Sequence, residues 1–118
     1  MLGLAEKTSR KDWEALVTLH PKQSFTEHRR HNGWRSPAMG SARLVFKQQD
    51  GRPEVRAGRV LNISPGGVQI WQAEDINWGT EVVVQVRVAE RDMLLFGRVA
   101  HCTEAVGGFK VGVELQFS

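Results

Sequence analysis

The sequence predicts an all-β fold, a six-stranded antiparallel barrel preceded by one short helix, and three observations carry that expectation. Apolar and polar residues alternate with a period of two in six segments after Ser41. The links between those segments are of hairpin length, most of them with glycine, proline, asparagine or aspartate, and no helical period interrupts the series. Short strands joined this way close on themselves, because closure removes unpaired edges. At 118 residues with 41% hydrophobic content, the chain can build one modest core and not two. The expected organisation is an N-terminal helix and linker over residues 1–25, followed by one barrel domain over 26–118.

The helix is read from Ser9, a capping residue, from Asp12 three positions on near the positive helix end, and from the apolar stripe Trp13, Leu16, Val17. Pro21 is the expected stop. Lys22 to Ser41 is polar and basic with Gly33, Pro37 and Gly40, and reads as a linker or clasp without regular structure. The first strand is then Ala42 to Lys47, and Asp50-Gly51 reverses the chain before Pro53. A second strand runs from about Val55 to Leu61 and a third from Val68 to Trp71, with Ser64-Pro65-Gly66-Gly67 between them. Asn77 to Thr80 is the next turn. Val82, Val84, Val86 and Val88 define the inner face of the fourth strand. A turn around Glu90 to Asp92 leads into a fifth strand, Met93 to Cys102, and Glu104 to Gly108 leads into a sixth, from Phe109 to Phe117.

No run approaches the roughly 20 apolar residues of a membrane helix, and no long apolar block marks a secretory signal, so a cytoplasmic protein without membrane insertion is expected. The lone Cys102 excludes an intrachain disulfide and reads as a half-buried core thiol. Net charge is +3 but unevenly placed: His28 to Val60 holds eight basic and two acidic residues, a local +6, while 61–118 is net −3. That distribution fits a local anion site better than a uniform polybasic coat.

The most specific element is Asn62-Ile63-Ser64-Pro65-Gly66-Gly67, an Asn-x-Ser-x-x-Gly pattern. Asn62 and Ser64 stand two apart and project to one side of extended chain, offering an amide and a hydroxyl. Gly67 supplies positive φ or lets a ligand approach the backbone. About thirty residues upstream lies His28-Arg29-Arg30-His31-Asn32-Gly33-Trp34-Arg35. Arginine grips phosphate bidentately, stacks on a base, and donates to the O6/N7 edge of guanine.

An arginine-rich segment entering a six-stranded barrel, followed by Asn-x-Ser-x-x-Gly after the second strand, resembles the PilZ family. The similarity extends over roughly residues 26–118, through Gly97-Arg98-Val99 and the closing Gly108-Phe109-Lys110-Val111-Gly112-Val113-Glu114-Leu115. The resemblance implies a PilZ-like split barrel that binds cyclic di-GMP, changes conformation, and signals to a protein partner. It implies ligand contacts at Arg29, Arg30, Arg35, Asn62, Ser64, Gly66 and Gly67. The family's arginine spacing is Arg-x-x-x-Arg, whereas Arg30 and Arg35 have four residues between them.

Two alternatives stay open on the sequence: a PilZ-like adaptor that docks to proteins without nucleotide, and a basic barrel binding single-stranded nucleic acid. Nucleic acid is the less expected partner, because basic charge is confined to one window and strand aromatics are sparse. His20, His28, His31, His101 and Cys102 do not assemble a tetrahedral metal site, so no metal is expected. Neither Ser64 nor Cys102 has a base and an acid at a recognisable spacing, so no enzyme is expected. Trp34 and Trp71 are candidates to stack on a base, Trp71 with packing as its favoured role, while Trp13 and Trp78 are expected to pack under the helix and against a turn.

Overall fold

The computed structural model describes residues 7–19 and 36–117. One helix, α1 (Arg10–Thr18), precedes six strands: β1 (Ser36–Lys47), β2 (Pro53–Ser64), β3 (Gly67–Gln72), β4 (Glu81–Val88), β5 (Arg91–Ala105) and β6 (Gly108–Leu115). They form a closed antiparallel barrel in the order β1-β2-β3-β6-β5-β4, with β4 returning to pair with β1.

The period-two pattern fills the interior. Val82, Val84, Val86 and Val88 of β4 meet Leu44, Val60, Ile70, Leu95, Val99, Val111 and Val113 in one buried cluster. The helix adds its stripe to the same cluster, with Trp13, Leu16 and Val17 buried. Ser9 caps it as expected, its hydroxyl accepting the Asp12 N–H at 3.1 Å. Just before the helix, Thr8 and Leu94 exchange hydrogen bonds: Thr8 N–H donates to the Leu94 carbonyl at 2.8 Å and Thr8 Oγ1 accepts from Leu94 N–H at 2.9 Å. Pairing of β5 with β6 begins only at Gly97, so Thr8 covers a length of β5 that would otherwise present a bare edge.

Three local expectations are corrected. β1 begins at Ser36, not Ala42, so the end of the supposed unstructured clasp is strand; Ser36 and Pro37 pair with Ile63 and Asn62 because β2 runs on through Ser64 and offers them a ladder. The β4–β5 reversal sits on Ala89 and Glu90, both at positive φ (53° and 62°), which two-residue hairpin turns demand even of residues that adopt it reluctantly. Trp78 packs against nothing extensive and is 79% exposed.

Candidate functional site

Asn62 and Ser64 reach the outer face of the barrel because of a bulge. Val60 pairs with Ile70 and the next pair is Asn62 with Gln69, which leaves Leu61 as an extra residue on β2. Beyond it the inward position passes from Val60 to the fully buried Ile63, and Asn62 and Ser64 turn outward. β5 repeats the device: Val99 pairs with Val113 and His101 with Gly112, so Ala100 is the extra residue and His101 turns outward. The two bulges aim three polar side chains at one surface spanning β2, β3, β6 and β5.

That surface is a shallow depression of about 540 Å³, lined by Asn62, Ser64, Gln69, His101 and Glu114 together with Gly66 and Gly67. Asn62 Nδ2 donates to Gln69 Oε1 at 2.7 Å, which orients both amides; Gln69 faces outward yet is only 6% exposed beneath its neighbours. The Ser64 hydroxyl makes only a long 3.4 Å contact to the Gly67 carbonyl, so a better acceptor can capture its proton. The Ser64 backbone carbonyl accepts the Trp13 indole N–H at 2.9 Å, which pins α1 to the back of the motif.

Gly67 does not supply positive φ. The positive-φ glycines among the described residues are Gly51, Gly79 and Gly107, whereas Gly67 begins β3, and a Cβ there would lie 2.9 Å from the Val113 carbonyl oxygen. Its smallness serves the approach of β3 to β6. A Cβ on Gly66 would meet nothing within 4 Å, so that position is open on its outer side. Gly112 gives His101 its seat: a Cβ there would fall 2.1 Å from His101 Nε2.

Arg29, Arg30, Arg35 and Trp34 lie outside the described residues. The strand-borne part of the +6 window does not converge on the depression. Arg52 pairs with Asp50 at 2.7 Å, and Arg56 pairs with Glu54 and Glu74 at 3.0 Å each while stacking on Phe46. Arg59 stacks over Trp71 at 5.1 Å, and the Trp71 indole N–H donates to the Val106 carbonyl at 3.3 Å, so Trp71 is engaged in packing rather than offered to a base. Gln69, His101 and the Trp13 contact are the site features that sequence reasoning missed. The available signal was the break in alternation at Val60-Leu61 and Val99-Ala100, where two apolar residues adjoin. Among the described residues no group of three or more His, Cys, Asp or Glu side chains could hold a metal, and no helix is long and apolar enough to cross a membrane.

No curated protein matches the sequence. Among solved structures, the chain is similar to the PilZ domain with c-di-GMP of YcgR from Escherichia coli, with a TM-score of 0.54 and 12% identity, covering 74% of this chain and 78% of that one. At that identity the likeness speaks for the fold. The PilZ domain family itself matches residues 27–118. With most of the chain matched, and the closed six-stranded barrel that its alternation required, the protein belongs to the PilZ domain family.

Proposed function

We propose that this chain is a cyclic di-GMP receptor domain in which Arg29, Arg30 and Arg35 act together with Asn62, Ser64, Gly66 and Gly67. The observation that carries the reading is the pairing of Ser36 with Ile63 and Pro37 with Asn62. Arg35 is bonded directly to Ser36, so the arginine segment is tethered beside the Asn-x-Ser-x-x-Gly motif, and the six residue steps from Arg30 to Ser36 span at most about 20 Å. Family membership and the nucleotide named with the solved PilZ domain support the same choice.

The ligand's two phosphodiesters and two guanines suit the groups on offer. Arginines neutralise phosphate and donate to guanine edges, Asn62 and Ser64 exchange hydrogen bonds with a base on the barrel wall, and the open side of Gly66 admits the ring without a clash. Binding draws the arginine segment against the barrel, and a protein partner reads the change. Titration calorimetry with cyclic di-GMP tests the proposal, and absence of heat at tens of micromolar ligand overturns it. Arg30→Ala and Arg35→Ala each weaken binding by about 1.5–3 kcal/mol, the cost of a lost charge-assisted hydrogen bond. The four-residue interval between Arg30 and Arg35 favours a second reading, an adaptor that docks without nucleotide; a partner complex that forms equally with and without cyclic di-GMP supports it.

A further inference from the structure

The barrel carries a second feature on its other side. Val55 of β2 pairs with Val45 of β1, Val45 with Val83 of β4, and Val83 with Phe96 of β5, so four apolar residues stand in one cross-strand row. All four face outward: Leu44, Val82, Val84 and Leu95, which adjoin Val45, Val83 and Phe96, are buried, and Val55 shares the face of its register partner Val45. Val55 is 57% and Phe96 37% exposed. Val45, Val83 and Phe96 also line a depression of about 700 Å³. A continuous apolar row on the outside of a small barrel contributes nothing to its core and marks a contact surface.

The charges around the row select the occupant. Two residues along each strand on the same face stand Arg43, Lys47 and Arg98, against Glu81 and, opposite Arg98 on β6, Glu114, and Lys7 Nζ sits 5.2 Å from the Phe96 ring centre, so the surround stays net positive. A second copy applied face to face would bring two net-positive surfaces together, which like-charge repulsion opposes. The closed barrel leaves no strand edge here for a partner to extend, so contact is through side chains. Three inter-strand steps make the row about 14 Å long, the length of roughly ten helical residues.

We infer that the β2-β1-β4-β5 face is a docking groove for an amphipathic helix of a partner protein, whose apolar stripe lies along Val55, Val45, Val83 and Phe96 and whose flanking acidic residues meet Arg43, Lys47 and Arg98. The groove shares no described residue with the depression around Asn62, so this inference stands whether or not the nucleotide is bound.

The test uses the full chain without nucleotide and two synthetic helical peptides of about 14 residues, each with one leucine stripe. One is flanked by glutamates and its twin by lysines. The expected result is saturable binding of the glutamate peptide below about 1 mM. Amide NMR shifts should map to Val45, Val83 and Phe96. Val83→Asp should weaken binding by at least about tenfold, and Asn62→Ala should leave it unchanged. Combined Arg43→Glu, Lys47→Glu and Arg98→Glu should transfer preference to the lysine peptide. If Val83→Asp does not fold, Val55→Asp, at the exposed end of the row, takes its place. Equal affinity for both peptides, no binding of the glutamate peptide, or shifts confined to another face overturns the inference. So does dimerisation of the wild-type chain that the aspartate variant abolishes, which assigns the row to a second copy. Binding to anionic phosphatidylglycerol vesicles with neither peptide bound overturns it in favour of a lipid surface.

Discussion

Replacing Trp13 by Phe removes one hydrogen-bond donor and part of one ring from the junction between α1 and the Asn-x-Ser-x-x-Gly motif. Trp13 is fully buried, and its indole N–H is the side-chain donor that reaches the Ser64 carbonyl, at 2.9 Å. Phenylalanine keeps most of the apolar contact, gives up the indole hydrogen bond at a cost of about 0.5–1.5 kcal/mol, and opens a small cavity worth about 1 kcal/mol more. The expected loss is therefore about 1.5–2.5 kcal/mol, or about 6–10 °C in Tm for a domain of this size. Urea unfolding followed by far-ultraviolet circular dichroism measures it without relying on the other three tryptophans. A midpoint within about 0.5 kcal/mol of wild type, at unchanged slope, would refute the claim that the indole bond holds the helix on the barrel. Under the proposed function, the same variant should also weaken cyclic di-GMP binding, because the proposed motif then loses its support from behind.

Replacing Ala89-Glu90 by Asn-Gly relieves two left-handed residues and should raise stability by about 1–2 kcal/mol, seen as a higher thermal midpoint. Gly112→Ala drives its Cβ into the His101 ring, so the imidazole must swing away; NMR shifts of that ring should change while the buried core resonances stay. Burial raises the Cys102 thiol above its ordinary range, reinforced by Asp75 and opposed by the Ile76 N–H. Alkylation by iodoacetamide at pH 8 should accordingly be slower than for a free cysteine. Because the folded value is the higher one, the neutral thiol's contribution is complete below the unfolded thiol range and is lost as pH rises through the folded value. Wild type should therefore lose stability relative to Cys102→Ala in alkaline urea titrations.

The barrel was legible because β4 and β6 state their inner faces without interruption: Val82 to Val88 and Val111 to Leu115 alternate cleanly. The helix was legible because Ser9, Asp12 and the Trp13-Leu16-Val17 stripe are local signals. Ser36 to Ser41 was not, since its strand conformation comes from β2 lying alongside and nothing in its own composition demands it. The Ala89-Glu90 turn was misplaced for the opposite reason, because neither residue favours the conformation that the strand register forces on it. At the candidate site, type and spacing singled out Asn62 and Ser64, while Gln69 and His101 join them in one depression through pairing partners far along the chain. Net charge misled in part: Arg52 and Arg56 are matched with acids and Arg59 lies on Trp71, contacts that a running count of charges does not register.

The extra residue at Leu61 bears on engineering. A designer wishing to move the Asn-x-Ser-x-x-Gly loop into another barrel would naturally transplant Asn62 to Gly67. In a host strand of unbroken pleat that insert arrives half a period out of phase, with Asn62 and Ser64 pointing into oil and Ile63 into water. The transferable unit is therefore Val60 to Gly67 with its phase shifter included, and the host must offer a neighbouring strand that tolerates an unpaired residue opposite Ile70 and Gln69.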